Sequence, residues 1–435
     1  MSMPEAELAG LAELLAQDPG LPRKDPTQSY WQQTPHALAA VQSASLPAKI
    51  DVAVIGSGIT GASVAKALLE QHSSCKVTVF EARTLCSGAT GRNGGQLAIN
   101  AAESYVQLKE AVGPDMAGKI VRFNLENLDR LREVASEMPV DDVELTDLRK
   151  LRSFKGKESF EVVKQGVAAV EVDHPSLRGI YEILSLERFT DVNFDSTADA
   201  KYPYALHTPR GIVRVTQVAY CTNAYTGYLL QTLRDPLFPL KGTMTVQDLG
   251  PNYENKGSSD SWAIHYKPYL DPEDGTYADG LIYGMQNVNT GAFFFGGEKE
   301  SATDMVSADD NVLSPSSVRF LQESLLSLFG RDPKDISASR IVSTWSGAMC
   351  FSSDEMPLVG RLPSSVTNNA GQGEWICAAY SGYGMPTAWL AGESLAALIL
   401  GFPPPDCLPD AYLITEARLK ERLSTEKSVE RLLGN

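Results

Sequence analysis

An apolar, β-branched run, IDVAVI at 50–55, leads directly into Gly56, Ser57, Gly58, Ile59, Thr60 and Gly61, after which the chain continues at helical period to residue 71. A strand, glycines at G-x-G-x-x-G spacing and a helix in immediate succession predict a β-α-β unit of the dinucleotide-binding type. Gly56 permits the tight turn, Gly58 lets backbone N–H groups approach a pyrophosphate, and Gly61 lets the helix pack closely on the strand. A second strand, KVTVF at 76–80, ends at Glu81, whose carboxylate can accept hydrogen bonds from adenosine ribose hydroxyls. Ala82 and Arg83 follow it in the same turn.

This fingerprint serves any cofactor with an ADP half, and the next segment narrows the choice. Residues 86–97 read CSGATGRNGGQL. A nicotinamide dehydrogenase has no need of so glycine-rich a loop directly after its second strand, whereas an isoalloxazine must be held by closely approaching backbone. We therefore expect Ser87, Gly88, Ala89, Arg92, Asn93, Gly94, Gly95, Gln96 and Leu97 to contact FAD, with Arg92 adding a charge-assisted bond to the pyrophosphate. The plain alternative is a surface loop. A NAD(P)-dependent reductase would need a second fingerprint, and no other G-x-G-x-x-G stands between a strand and a helix.

At 435 residues the chain exceeds what one core usually supports, so two domains are expected. A net charge of −16 without a basic run disfavours nucleic acid and anionic membranes as partners. No stretch is long and apolar enough for a membrane span. The N-terminus lacks the pattern of a signal peptide, the C-terminus is no peroxisomal address, and the cysteines form no C-x-x-C pair, so a cytoplasmic protein without a metal site is expected.

Periodicity predicts a short helix at 5–17, an extended stretch at 21–35 anchored by Tyr30 and Trp31, helices within 101–138 and 157–172, and a strand at 214–219. Strands at 262–266, 281–284 and 293–296 suggest an antiparallel block; a strand at 374–378, a turn at 382–384 and a helix at 385–400 close the pattern. The fold class is α/β (α+β overall), a Rossmann-type FAD-binding domain interleaved with an antiparallel-sheet substrate domain. Its expected divisions are an extension at 1–47, FAD-binding segments at 48–101, 184–232 and 340–402, substrate-domain segments at 102–183 and 233–339, and a tail at 403–435.

GSGITG, FEA, SGATGRNGGQ, CTNAYTGYLL (221–230), PLKG (239–242), WSGAMCFSSDEMPLVG (345–360) and SGYGMPTAWLAGESLAALILG (381–401) occur together and in order. With these motifs the chain resembles the D-amino acid oxidase and glycine/sarcosine oxidase (DAO) family of FAD enzymes, most closely its fungal branch. The resemblance implies oxidation of a C–N bond in an amine or amino acid by hydride transfer to flavin N5, with O2 or another acceptor taking the electrons. It also implies that Gly382, Tyr383, Gly384 and Met385 open a helix facing the flavin, and that Asp354 forms the turn carrying the chain back over the ring. The flavin is expected to be non-covalent, since the linking cysteine of sarcosine-type relatives would fall nearer Gly347 than Cys350, which reads as a small buried hydrophobe. Trp345 reads equally as core packing.

Two departures stand out. Phe294 occupies the place of a lysine that promotes oxygen reactivity in some relatives, leaving Lys241 and Lys267 as alternative cations, each read as a solvated surface lysine. After Val192 a helix and strand of the family's FAD domain are missing, which opens a second reading as a catalytically impaired binding or scaffold protein. No catalytic residue is assigned; substrate contacts are expected from 262–296.

Overall fold

In the computed structural model, the described residues are all except 1–4, 100, 139–142, 144, 156, 178–202, 251–252, 272–273, 333, 368–372 and 433–435. The strands are β1 (Lys49–Ile55), β2 (Val77–Phe80), β3 (Arg149–Lys155), β4 (Tyr204–Thr208), β5 (Gly211–Tyr220), β6 (Leu237–Asp248), β7 (Asp260–Tyr266), β8 (Tyr269–Leu270), β9 (Tyr277–Gln286), β10 (Phe293–Glu300), β11 (Arg340–Ser352), β12 (Leu358–Arg361) and β13 (Glu374–Ala378). The helices are α1 (Glu5–Leu15), α2 (Ile59–Gln71), α3 (Ala101–Val112), α4 (Pro114–Ser136), α5 (Lys157–Asp173), α6 (Thr226–Leu229), α7 (Ala302–Met305), α8 (Pro315–Leu328), α9 (Ala388–Ile399), α10 (Glu416–Arg422) and α11 (Thr425–Leu432).

The first sheet runs β12-β13-β5-β1-β2, with β4 added to β5. Its centre is parallel: β1 pairs with β2 on one side and β5 on the other, and β5 pairs with β13. Burial on both faces explains the nearly unbroken apolar run of β1, whose last four residues are fully buried. Helices α2 and α9 pack together over one face through Val64, Leu68, Ala391 and Leu395. Their approach is close because Gly392 has no side chain; a Cβ there would overlap Ser63.

The second sheet runs β11-β6-β10-β9-β7-β3, with β8 added to β9. All its pairings are antiparallel except β3 with β7. Phe293, Phe295 and Ile282 pack under α8, against Leu321, Leu325 and Leu326. The opposite face presents Met244, Phe294, Trp345, Tyr283 and Met285. These two sheets bear out the expected α/β class. One boundary shifts: β11, placed by sequence at the start of the last FAD-domain segment, is an edge strand of the antiparallel sheet, paired with β6 from Arg340 to Ser352 with one register shift between Ile341 and Ser343. The apparent gap after Val192 lies outside the described residues.

The extension is not an appendage. Tyr30 meets Phe294 edge-on at 4.8 Å, and Trp31 stacks on the same ring at 4.7 Å. Helix α1 packs at the other end of the chain, where Leu11 and Leu15 join Val429 and Leu432 of α11.

Candidate cofactor and substrate site

The turn from β1 to α2 has the geometry its glycines predict. Gly56 adopts φ of 101°, a region that L side chains avoid, and a Cβ on Gly61 would overlap the Gly56 carbonyl. Gly58 caps α2 in extended conformation, and the N–H of Ile59, the first helical residue, donates to Thr90 Oγ1 at 3.0 Å. Thr60 donates to or accepts from the Tyr380 hydroxyl at 2.9 Å, so its side chain faces the core.

Glu81 follows β2 and folds back over the turn. One oxygen accepts from Ser57 N–H at 3.1 Å and Ser57 Oγ at 2.6 Å; the other accepts from Arg83 N–H at 2.9 Å. Burial pushes its carboxyl above the usual range while the Ser57 and Arg83 hydrogen bonds pull it down. Carboxylate oxygens can accept further bonds, so this arrangement leaves room for ribose hydroxyls. Ser87 Oγ, in the adjoining loop, is buried without a partner among the described residues, as expected for a hydroxyl that meets a ligand. Ala82, next to Glu81, is exposed, and Leu97, at the end of the loop, is half-buried.

Arg92 corrects the sequence reading. Its side chain is 1% exposed, and Nε donates to Ser87 O at 2.9 Å while lying 3.3 Å from Asp310 Oδ2. Nη1 donates to Thr27 Oγ1 and Ser346 O at 3.1 and 2.9 Å, and Nη2 to Thr27 O at 2.6 Å. Arg83 binds Asp310 from the other side at 3.0 Å. The guanidinium expected on the pyrophosphate is instead a buried clamp that joins the Gly-rich loop to the N-terminal segment and β11.

Further along this loop the glycines meet side chains of the second sheet. A Cβ on Gly94 would press on Tyr283 and Met244, and one on Gly95, at φ of 73°, would overlap Met285 and crowd Trp31. Trp31 Nε1 donates to Asn93 O at 2.7 Å, and Ser29 Oγ donates to Gly91 O. Gly88 and Ala89 are buried where the loop turns. Between loop and sheet lies a cavity of about 90 Å³ whose lining includes Ala89, Asn93, Gly94, Gly242, Gly347 and Gly382. Gly242 and Gly347 are direct register partners, which leaves a shallow recess in the sheet. The backbone-lined recess fits a flat ring in kind, while the cavity is smaller than the roughly 300–1,000 Å³ usual for such ligands, and the flexible side chains of Met244 and Met349 are among its walls.

Two further expectations are corrected. Gly382, Tyr383, Gly384 and Met385 do not open α9: Gly382 and Met385 lie in turns with Tyr383 and Gly384 irregular between them, and the helix begins at Ala388. Asn127 of α4 is the reason, since its Nδ2 donates to Met385 O at 2.7 Å and its Oδ1 accepts from Leu390 N–H at 2.8 Å, replacing the first rungs of the ladder. Gly382 and Gly384 nevertheless line the cavity. Asp354 stands in the predicted turn, but its carboxylate is gripped by Arg418 of α10, with both oxygens accepting at 3.0 Å. Lys241 is not at the surface: it is 4% exposed, on the sheet face away from Gly242, near Glu298. Lys267 is exposed as expected. Cys350 and Trp345 are buried, and Trp345 Nε1 donates to Arg92 O, a packing role. Sequence reasoning missed Asn223 on the cavity wall, while Tyr283 falls within the 262–296 block expected to contact substrate without having been singled out; in Gly242 and Gly347, glycines inside strand-forming motifs were the available signal.

The profile of the DAO family, FAD dependent oxidoreductase, matches residues 51–215 and 186–398. The chain belongs to this family. Gamma-glutamylputrescine oxidoreductase of Escherichia coli K12 is 24% identical to this DAO-family chain over 413 residues, covering 86% of it and 89% of the relative. Among solved structures, glycine oxidase from Geobacillus kaustophilus superposes with a TM-score of 0.60 at 17% identity, covering 85% of this chain and 99% of the other. L-amino acid deaminase from Proteus vulgaris superposes at 0.57 and 18% identity, covering 88% and 98%. These structures share the DAO fold. The curated relative is bacterial, so the expected affinity to a fungal branch has no support. Among the described residues no helix is long and apolar enough to cross a membrane, and no His, Cys, Asp and Glu cluster suits a metal ion.

Proposed function

We propose that this DAO-family oxidoreductase oxidises the C–N bond of a small amine or amino acid to an imine, which water then hydrolyses. The carrying observation is the cavity between the Gly-rich loop and the second sheet, walled by glycine backbone, Met244, Tyr283, Met349 and Cys350, in which, among the described residues, Arg92 is the only lining cation and is already bound to protein groups. Such a wall favours an uncharged amine and positions it without a dedicated base. Bound FAD supplies the two-electron acceptor for the hydride leaving the α-carbon. Ser57, Glu81, Ser87 and the turn glycines would hold its ADP half, and Gly94, Gly242, Gly347 and Gly382 its ring.

Non-covalent attachment is part of the reading, because burial pushes the Cys350 thiol far up and keeps it from acting as a thiolate. Reoxidation by O2 is the default acceptor reaction. Phe294, fully buried under Tyr30 and Trp31, supplies no cation to assist it. Six free cysteines accord with a reducing compartment, the cytoplasm. The test is spectroscopic: the purified protein should show flavin bands that acid precipitation releases, and anaerobic amines or amino acids should bleach them. A protein that cannot take up FAD would favour the binding-protein reading.

A further inference from the structure

The N-terminal extension runs alongside the chain from Arg83 to Asn93 and bonds to it repeatedly. Arg23 O accepts from Arg83 Nη1 at 3.1 Å, and Ala39 O accepts from Leu85 N–H at 2.8 Å. Between these points Gln32 Nε2 donates to Cys86 O at 3.2 Å, Ser29 Oγ to Gly91 O, and Trp31 Nε1 to Asn93 O at 2.7 Å, while Thr27 O accepts from Arg92 Nη2 at 2.6 Å. The extension is itself anchored. Thr27 N–H donates to Asp310 O at 2.9 Å, Thr27 Oγ1 accepts from Ser346 N–H at 3.0 Å, and Trp31 stacks on Phe294.

With these bonds made, every carbonyl from Cys86 to Asn93 accepts from a protein donor. Ser87 O takes Arg92 Nε at 2.9 Å, Gly88 O and Ala89 O take the N–H groups of Gly91 and Arg92, each at 3.0 Å, Thr90 O takes Asn93 Nδ2 at 2.8 Å, and Arg92 O takes Trp345 Nε1. The amides show the opposite. Those of Ala89, Asn93 and Gly94, three residues of the cavity lining, donate to no acceptor among the described residues. Ala89 and Gly94 are buried, and a buried amide without an acceptor is costly unless a ligand supplies one. A loop with its carbonyls occupied and its amides left over on a cavity wall offers that cavity hydrogen-bond donors.

We infer that Ser29, Trp31 and Gln32 are positioning residues of the cofactor site: by taking the carbonyls of Gly91, Asn93 and Cys86 they fix the loop in the conformation that presents its amides to the flavin ring. The inference rests on the reading that this loop holds the ring. None of the three side chains is in the cavity lining, so they act through the loop. A loop released from the extension spends part of its time in other conformations, and affinity falls with the fraction that stays competent. Donors fixed at the ring also favour its reduced form, which carries more negative charge.

Ser29→Ala, Trp31→Phe and Gln32→Leu each remove one donor, and Trp31→Phe keeps an aromatic ring on Phe294. Gln33→Ala is the control, since it removes a bond to Ser343 Oγ at 3.3 Å and none to the loop. Titration of the flavin-free full chain with FAD, followed by flavin fluorescence, should show affinity about 3- to 10-fold weaker in each of the three variants, the loss of one hydrogen bond, and unchanged in Gln33→Ala. Without FAD, the amides of 86–95 should exchange with deuterium faster in the three variants, while those of β1 keep wild-type protection and show that the variants are folded. With FAD bound, the reduction potential should shift to a more negative value in Trp31→Phe and stay unchanged in Gln33→Ala. Wild-type affinity and potential in the three variants, weaker affinity without faster exchange in the loop, or an equal loss in Gln33→Ala overturns the inference and leaves the cofactor reading intact. A wild-type chain that takes up no FAD removes the cofactor reading and this inference with it.

Discussion

Replacing Arg92 with Met tests whether this guanidinium is a clamp or a cofactor ligand. Arg92 and Asp310 are each 1% exposed, and the substitution leaves Asp310 with Arg83 alone while Ser87 O, Thr27 O and Ser346 O lose a donor. Breaking a buried pair costs about 3–5 kcal/mol. With about 2.1 cal/mol/K of unfolding entropy per residue, 435 residues give roughly 0.9 kcal/mol/K, so a chain that unfolds as one unit should melt about 3–5 °C lower. Asp310→Asn should lower it at least as much, because two buried arginines then lack their anion. Calorimetry is done on protein stripped of flavin, where a cofactor contact contributes nothing. In a double-mutant cycle the two substitutions should couple by about 1–3 kcal/mol. If Arg92→Met melts within 1 °C of wild type as apoprotein and yet loses FAD, the clamp argument is wrong and the side chain serves the cofactor.

Gly61→Val should abolish flavin binding, read as loss of colour, since even a Cβ overlaps the Gly56 carbonyl; full retention of FAD would refute the packing argument. Cys350→Ser should leave all flavin releasable by acid, and flavin that stays with wild-type precipitate but not with the variant would reveal a covalent bond. Glu298 is 3% exposed, with its pKa raised to about 8 mainly by burial. Because the folded state holds this proton more tightly than the unfolded chain, stability is greatest below the unfolded pKa of about 4.5 and falls as pH rises to about 8, by on the order of a few kcal/mol. Glu298→Gln should flatten that slope in denaturant titrations; an unchanged slope would place the titration elsewhere.

What sequence reveals here divides by distance along the chain. The β1 turn, α2 and Glu81 are legible because the glycines that shape the turn, and the Ser57 groups that bind Glu81, lie within 50–81. Arg92 reads from the sequence as a pyrophosphate ligand and not as a clamp, since Thr27, Asp310 and Ser346 approach it from far along the sequence. Likewise the start of α9 depends on Asn127, more than two hundred residues earlier. Strands β6 and β11 escape pattern reading because glycine, threonine and serine interrupt their apolar alternation, and those interruptions form the recess at Gly242 and Gly347. In Asp354 the turn was readable and the partner was not, because Arg418 belongs to the last helices.

Interleaving of the two sheets has a consequence for how the protein comes into being. Strand β1 begins at Lys49, but its sheet is completed only when β13 pairs with β5 near Ala378. At roughly 5–20 residues per second, a ribosome exposes the apolar β1 and α2 for tens of seconds before their last partners, β13 and α9, emerge. The cofactor half therefore cannot mature as an independent early unit, and its nascent apolar surface stays open to aggregation until the C-terminal third of the chain has emerged.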